Sequence, residues 1–375
     1  MTQSPSTTGQ LSPGEAYEIG RRLQAEGDLE QAKKYYGQVL VRIPHHAEAL
    51  TMLAAIGYQQ GDEVQARAYV DRAIDIYRHV VAQMPENLSV RAPLVNILLA
   101  RGHRDLAEHY IEELMLPLNP IRATPQEFVR RRKMGIEQGL PPILINTLPK
   151  SASESIWNRL AEGLNMAQSH LSLGLYPDCC LVPARVKSAA EGGLIAKEHI
   201  PATDYNLRQL SEHGLKKVVF HVRDPRQATL SWAHFVQSDV SMRLMAPIWR
   251  KVVPPAEVLK GDVGDVVDWS IDHYLPLAID FMRGWTNLRD QKDQPIEVLF
   301  LTFEQFRTDP DSYFAAILEF LELAPERFAA EAEAEVVHLR RGLIDEWREA
   351  FAPAQQERAW SKIPADMAES FGWSR

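Results

Sequence analysis

The sequence predicts an α/β domain with a parallel sheet, preceded by an all-α domain of helical repeats. Two observations carry this prediction. Small and apolar residues recur at a fixed spacing in the first third of the chain, and apolar runs of strand length alternate with helical patterns from Pro142 onward. The chain has 375 residues, so at least two domains are expected.

The composition places the chain among globular proteins, with 45% hydrophobic and 24% charged residues. A net charge of -9 argues against nonspecific binding to nucleic acid or to anionic membranes, because both require a basic face. Apolar stretches stay below the ~18 residues that span a bilayer, and the N-terminus lacks a leader pattern. We therefore expect a cytoplasmic protein without a membrane partner.

The repeat is carried by a glycine and an alanine that recur together. The pairs are spaced first 34 and then 41 residues apart: Gly27 with Ala32, Gly61 with Ala66, and Gly102 with Ala107. The larger spacing predicts about two additional helical turns near Ile74 to Met84. Over residues 13–116 the pattern resembles tetratricopeptide repeats, in which small residues let paired helices approach closely. We expect the repeats to dock on the second domain or on a second subunit, and a homodimer through them stays open.

Residues 117–141 are predicted to form a linker around a short helix, and residues 142–375 the α/β domain. The linker carries a basic run, Arg130 to Lys133, which we interpret as a solvated helix face. Cys179 and Cys180 are adjacent and do not fit a zinc-site spacing, so they are expected to be buried thiols.

Apolar runs predict four strands, each followed by a helix: Ile143 to Asn146, Leu194 to Lys197, Val218 to Val222 and Val298 to Leu301. This alternation predicts a parallel sheet that is covered on both faces, with ligands at the carboxyl ends of its strands.

The loop after the first strand combines a lysine with short polar residues and opens a helix. Free backbone N–H groups, the helix dipole and the charge of Lys150 together suit a phosphate, although serine also favours an ordinary helix N-cap. An ATP-binding Walker A loop would need glycine where Leu144 and Pro149 stand, which argues against an ATP-dependent kinase.

A second motif follows the third predicted strand. Arg223 ends the strand, the Asp224-Pro225 step is typical of a helix start, and Ser231 follows Arg223 by eight residues on that helix. Arginine presents paired donors to phosphate, so Arg223 and Ser231 are candidates for a second anion site.

Together these motifs resemble the sulfotransferase family, which uses 3'-phosphoadenosine 5'-phosphosulfate (PAPS). The resemblance implies a P-loop-like parallel sheet and a 3'-phosphate site at Arg223 and Ser231. It also implies a 5'-phosphosulfate loop made of Lys150, Ser151, Ala152, Ser153, Glu154 and Ser155. Ala152 stands where the family has glycine, and Glu154 where it has a hydroxyl residue.

Two further segments extend the resemblance. Lys197-Glu198-His199-Ile200-Pro201 is similar to the family's K-T-H-L-P segment, which implies that His199 is the general base and that Lys197 and Lys150 stabilise the leaving group. The segment with Arg340, Arg341 and Gly342 resembles the one that closes over the 3'-phosphate, and Phe303 is a candidate wall for the adenine.

The resemblance implies sulfuryl transfer from PAPS to a hydroxyl or amine of a small-molecule or peptide acceptor, with no metal. Magnesium is not required because the lysines and arginines meet the two phosphates directly. Two alternatives stay open: a repeat-based binding protein whose second domain is inactive, and, less favoured, an ATP-dependent kinase. The acidic departures at Glu154 and Asp345 keep the first alternative open.

Overall fold

A computed structural model describes residues 11–84, 87–239, 251–289, 291, 295–329 and 342–375. The first part of this chain is a stack of six antiparallel helices: α1 Pro13–Glu26, α2 Leu29–Arg42, α3 Ala47–Gln59, α4 Glu63–Gln83, α5 Leu88–Ala100 and α6 Arg104–Glu112. Consecutive helices pack in pairs, as the repeat spacing predicts.

The recurring residues have the roles that the spacing gives them. Gly27, Gly61 and Gly102 adopt φ values of 87°, 79° and 80° between the helices of each pair, a conformation that favours glycine. The three recurring alanines are fully buried. Helix α4 has 21 residues where α2 has 14, and this difference of about two turns accounts for the longer second spacing.

The third pair of helices docks on the α/β domain. Asn96 Oδ1 accepts a hydrogen bond from the Gly174 N–H at 2.9 Å, and Arg104 Nη1 donates to Cys180 Sγ at 2.9 Å. Leu173, Cys180 and Tyr205 belong to the same apolar cluster as the side chains of α5 and α6. Docking on the second domain is therefore confirmed.

Helix α7, Pro125–Glu137, lies in the segment that connects the repeats to the α/β domain. Arg130 and Arg131 pair with Glu127, and Arg131 also pairs with Glu162. The basic run is thus a helix face that forms ion pairs. Gly135 lies against Gly193, where a Cβ on Gly135 would meet the Gly193 Cα at 2.6 Å.

The second domain is built on a five-stranded parallel sheet with strand order β2-β5-β1-β6-β7. The strands and the helices between them are β1 Ile143–Thr147, α8 Ser153–Gly163, β2 Ala167–Ser169, β3 Ser172–Leu173, β4 Cys180–Leu181, α9 Pro183–Ala189, β5 Leu194–Glu198, α10 Asp204–Glu212, β6 Lys217–Val222, α11 Pro225–Ser238 and β7 Glu297–Thr302. All four predicted strands are present. The two-stranded hairpin of β3 and β4 and the short edge strand β2 were not predicted.

Alternating residues of the buried strands pack on opposite faces of the sheet. Ile143 and Ile145 pack with α8 on one face, whereas Leu144 packs on the other. Further helices complete the domain: Ala256–Leu259, Val263–Arg289, Phe303–Thr308, Pro310–Phe320, Trp347–Ala350, Pro353–Lys362 and Ala365–Phe371, with a 3₁₀ turn at Pro325–Arg327.

Cys179 and Cys180 are buried free thiols, as predicted, and burial raises the pKa of both. Across the described ranges, no helix has the length and hydropathy needed to cross a bilayer.

Candidate active site

Three loops meet at the carboxyl edge of the sheet. Strand β1 is central, with β5 on one side and β6 on the other, and Asn146 and Thr147 are in register with Glu198 and His221 respectively. The parallel topology therefore brings together the three motifs that the sequence separates by up to 80 residues.

The loop between β1 and α8 has an uncommon backbone conformation. Lys150 and Ala152 have φ values of 68° and 66°, in the left-handed region that costs residues other than glycine about 1–2 kcal/mol. The buried hydroxyl of Ser151 donates to the Leu148 carbonyl at 2.6 Å, and α8 begins directly afterwards at Ser153. The turn presents the start of a helix at the sheet edge, which is a favourable position for an anion.

Residues from distant segments hold this loop in place. His221 donates from Nε2 to the Ser151 carbonyl at 2.7 Å and accepts at Nδ1 from the Tyr313 hydroxyl at 2.9 Å. Tyr274 donates to the Pro149 carbonyl at 3.1 Å, and Arg223 Nη1 to the Lys150 carbonyl at 2.9 Å. Burial lowers the pKa of His221 to about 3, so this histidine is a neutral support for the loop.

Two cations converge on the loop. Burial, with a further contribution from the nearby Arg223, lowers the pKa of Lys150 to about 8, and its Nζ lies 4.1 Å from the centre of the Phe235 ring. The Arg223 guanidinium lies 3.8 Å from the centre of the Phe303 ring and donates from Nη2 to the Leu343 carbonyl at 2.8 Å. An anion placed between these cations would relieve their mutual repulsion.

Phe303 is 1% exposed and one face of its ring is covered by Arg223, so its observed role is to support that arginine. Its contact with an adenine stays a prediction. Gly342 has a φ of 65°, and the next residue, Leu343, accepts the hydrogen bond from Arg223 at its carbonyl. Arg340 and Arg341 lie outside the described residues.

Glu154 faces two cations. Its carboxylate forms ion pairs with Lys197 and, at 3.4 Å, with Arg122 of the connecting segment. Burial acts to raise the pKa of Glu154, but Lys197, Arg122 and His170 together outweigh it and the pKa is lowered. Lys197 and Arg122 thus neutralise the charge of Glu154, which replaces a hydroxyl residue of the motif. The ion pair engages Lys197, the lysine that was predicted to stabilise the leaving group.

His199 is held in one tautomer after the end of β5. Its Nδ1 lies 2.7 Å from the Thr147 carbonyl, to which it can only donate, so Nε2 is the acceptor nitrogen. Burial and the nearby Lys197 lower the pKa of His199 to about 4, below the ordinary histidine value on which its selection rested. The imidazole is therefore neutral at physiological pH.

Asn146 fixes the segment that carries His199. Its side-chain amide donates to the Ile200 carbonyl and accepts from the Ile200 N–H, both at 2.9 Å. This residue and His221 were not recognised as supports from the sequence. A buried polar residue inside an otherwise apolar strand is the signal that could have found them.

The remaining predicted residues flank this arrangement. Ser153 and Ser155 lie in the first turn of α8, and Ser231 lies about two turns into α11, partly buried. The structure therefore brings together Lys150, Ser151, Arg223 and the described end of the Gly342 segment. Within the described part of the chain, no cluster of three or more histidine, cysteine or acidic side chains is arranged to hold a metal, and independence of a metal stays a prediction.

The end of β6 also anchors the C-terminal segment. Arg226 is 1% exposed and forms a two-point ion pair with Asp224, with Nε at 3.0 Å and Nη2 at 2.6 Å from the carboxylate oxygens. Its guanidinium stacks 3.8 Å from the centre of the Trp347 ring. The Trp347 backbone N–H donates to Gln227 Oε1 at 3.1 Å, which ties this segment to α11.

Comparisons with known proteins agree with the two-part organisation. A family model described as Sulfotransferase domain matches residues 142–337, and one described as Tetratricopeptide repeat matches residues 17–79. A crystal structure of mouse sulfotransferase SULT7A1 complexed with PAP is similar at 13% identity and a TM-score of 0.43, over 68% of this chain and 97% of that chain. No curated protein matches the chain.

Proposed function

The chain belongs to the sulfotransferase family, and we propose that it transfers the sulfuryl group of PAPS to a hydroxyl or amine of an acceptor molecule. The observation that carries this proposal is the position of His199, which presents an acceptor nitrogen beside a strained, cation-bearing loop. The tetratricopeptide match precedes this domain, and the third helix pair, which follows the matched residues, contacts the hairpin of β3 and β4.

The residues at the sheet edge fit PAPS. The turn at Lys150 to Ser153 offers a lysine, backbone N–H groups and a helix start for the 5'-phosphosulfate, while Arg223 and Ser231 are the proposed ligands of the 3'-phosphate. Burial, with a further contribution from the nearby Arg223, lowers the pKa of Lys150, so a ligand with negative charge is favoured between these cations.

The proposed chemistry is an in-line displacement in which bound PAPS supplies the sulfuryl group. The neutral His199 accepts the proton of the attacking group at Nε2. The hydrogen bond to the Thr147 carbonyl orients the imidazole, and the Asn146 side chain holds the backbone of the segment through Ile200. Lys150 and Lys197 stabilise charge on the phosphate side, for which Lys197 must exchange its contact with Glu154. One S–O bond breaks as the new bond to sulfur forms.

Calorimetric titration with three nucleotides tests the cofactor. We expect binding of adenosine 3',5'-bisphosphate, at least tenfold weaker binding of adenosine 5'-phosphate, and no magnesium-dependent binding of ATP. Transfer of ³⁵S from labelled PAPS to a metabolite and peptide extract then tests the reaction. Binding of the bisphosphate without any labelled product would contradict transfer and favour the inactive binding protein.

A further inference from the structure

His170 is a second histidine at the carboxyl edge of the sheet, and the motifs assign it no role. It directly follows β2, which pairs in parallel with β5, so it lies at the same edge as His199. Its side chain is 38% exposed, and it lies close enough to His199 to contribute to the lowered pKa of that residue.

The surroundings of His170 orient its ring. Its Nδ1 lies 2.7 Å from the Lys197 carbonyl, so Nδ1 carries the proton and Nε2, on the other side of the ring, is the acceptor nitrogen. The ring packs 5.1 Å from the Trp157 indole, which Lys197 Nζ also approaches at 5.2 Å. His170 and His199 therefore adopt the same tautomer at the same edge of the sheet.

A buried carboxylate stands behind His170. Glu198 is 2% exposed, with one oxygen 3.7 Å from His170 Nδ1, and it accepts hydrogen bonds from the Leu171 N–H and the Ser172 hydroxyl. Burial raises the pKa of Glu198, but these donors together with His170 outweigh it and the pKa is lowered. The carboxylate is thus held as an anion 3.7 Å from the His170 ring nitrogen.

We infer that His170, supported by Glu198, is a second acid–base residue and that the acceptor group of this enzyme is an amine. The inference rests on the proposed sulfuryl transfer and narrows its acceptor class. A hydroxyl loses one proton when it is sulfated, and His199 alone can take it. An amine arrives as an ammonium ion and must lose two protons, one before attack and one as the N–S bond forms.

The proton balance assigns one histidine to each step. His170 Nε2 takes the first proton from the ammonium group, leaving a neutral nucleophile. The nitrogen then attacks sulfur, the S–O bond to the phosphate breaks, and His199 Nε2 takes the second proton. The titratable and charged groups around His170 are Glu198, Glu154, Lys197, Arg185 and His199, and the nearest carboxylate oxygen, on Glu198, lies 3.7 Å from His170 Nδ1.

The chemical nature of the product gives the first test. The full-length protein is incubated with ³⁵S-labelled PAPS and a metabolite extract, and the labelled product is treated with nitrous acid, which cleaves N-sulfates and leaves ester sulfates intact. We expect the label to be released as inorganic sulfate. A resistant product overturns the inference and leaves the proposed function standing, whereas absence of any labelled product contradicts the proposed function itself.

The rate of this labelling in a variant gives the second test. His170→Gln should lower the rate by about 10²-fold or more while keeping the affinity for adenosine 3',5'-bisphosphate, because the residue takes a proton and binds no phosphate. His45→Gln, at an exposed position in the repeats, is the matched control and should keep the wild-type rate. A His170→Gln variant that keeps more than half of the wild-type rate overturns the inference.

Discussion

The ends of β5 and β6 lie on the two sides of the same loop, and they use similar residues differently. At β5, His199 has one nitrogen on a carbonyl and presents the other as an acceptor. At β6, His221 has both nitrogens engaged, one with the loop and one with Tyr313. The β5 side therefore leaves polar atoms for chemistry, whereas the β6 side uses them to hold the loop.

Arg223 and Arg226, the two arginines that follow β6, also differ in whether a ligand can contact them. Arg223 joins the loop to the C-terminal segment from a position beside Lys150, where a phosphate can meet it. Arg226 is sealed between Asp224 and Trp347. This difference separates the proposed ligand contact at Arg223 from the structural contact at Arg226, and each residue can be tested by its own variant.

The largest effect is expected at His199. The His199→Ala variant should retain its affinity for adenosine 3',5'-bisphosphate and lose about 10²- to 10⁴-fold in single-turnover rate, the usual contribution of a general base. Rapid-quench measurement with labelled PAPS gives the rate. A variant that keeps more than half of the wild-type rate would show that chemistry does not depend on the β5 side.

On the β6 side the largest effect should be on stability. Arg226→Met leaves the Asp224 carboxylate buried without its partner, which costs about 3–5 kcal/mol. Urea unfolding followed by circular dichroism measures the loss. Arg130→Met, which breaks an exposed pair on α7, should leave the free energy of unfolding nearly unchanged, because water screens exposed ion pairs. Equal losses would contradict the structural role of Arg226.

Arg223 should change affinity rather than stability. Arg223→Ala is expected to weaken binding of adenosine 3',5'-bisphosphate by about 1.5–3 kcal/mol, typical of a hydrogen bond to a charged group. The affinity for adenosine 5'-phosphate should fall less than that for the bisphosphate, because this nucleotide lacks the 3'-phosphate and is affected only through the loop that Arg223 holds. Calorimetry measures both, with Arg208→Ala, in an exposed pair with Glu112, as the control.

Sequence reasoning succeeded where a feature is contained in a short segment. The strand, loop and helix around Arg223 are consecutive, and the repeat glycines report their own backbone conformation. It failed where a role depends on pairing between distant segments. The strand β2 has three residues and no periodicity to detect, so His170 at its end attracted no notice.

The lowered pKa of His199 illustrates the same limit. The motif selects the residue type, but the pKa depends on burial and on Lys197, which only the folded chain defines. The ion pair of Glu154 with Lys197 likewise joins residues 43 positions apart. In the sequence, Glu154 departs from the family's 5'-phosphosulfate loop. In the structure, it forms an ion pair with Lys197 of the segment that carries His199.

The pH dependence of the free energy of unfolding distinguishes His221, the buried histidine of β6, from the exposed His45. Because the pKa of His221 is lowered to about 3, the unfolded chain binds a proton between about pH 3 and 6.5 that the folded chain excludes. The contribution of His221 to stability is thus complete above pH 6.5 and falls as the pH decreases through this window.

His221→Gln should therefore reduce the slope of unfolding free energy against pH by about 1.4 kcal/mol per pH unit between pH 4 and 5.5. The glutamine can still donate to the Ser151 carbonyl. His45→Gln replaces an exposed histidine of the repeats and should leave the slope unchanged. Parallel slopes for His221→Gln and the wild type would mean that His221 is protonated in the folded protein.

The smallest effect concerns the loop between the two sides. Ala152 holds a φ of 66°, which disfavours a Cβ, so Ala152→Gly should stabilise the protein by about 0.5–1 kcal/mol after the entropy of the added glycine is offset. Ala68→Gly, at an exposed position inside α4, is the control and should destabilise by about 1 kcal/mol. Opposite signs in urea unfolding would confirm that the loop is strained, and two losses would show that its conformation costs nothing at Ala152. His221 and Arg223 hold the loop in its conformation through hydrogen bonds to the Ser151 and Lys150 carbonyls. The increase in stability of Ala152→Gly should therefore be accompanied by no more than a twofold change in affinity for adenosine 3',5'-bisphosphate.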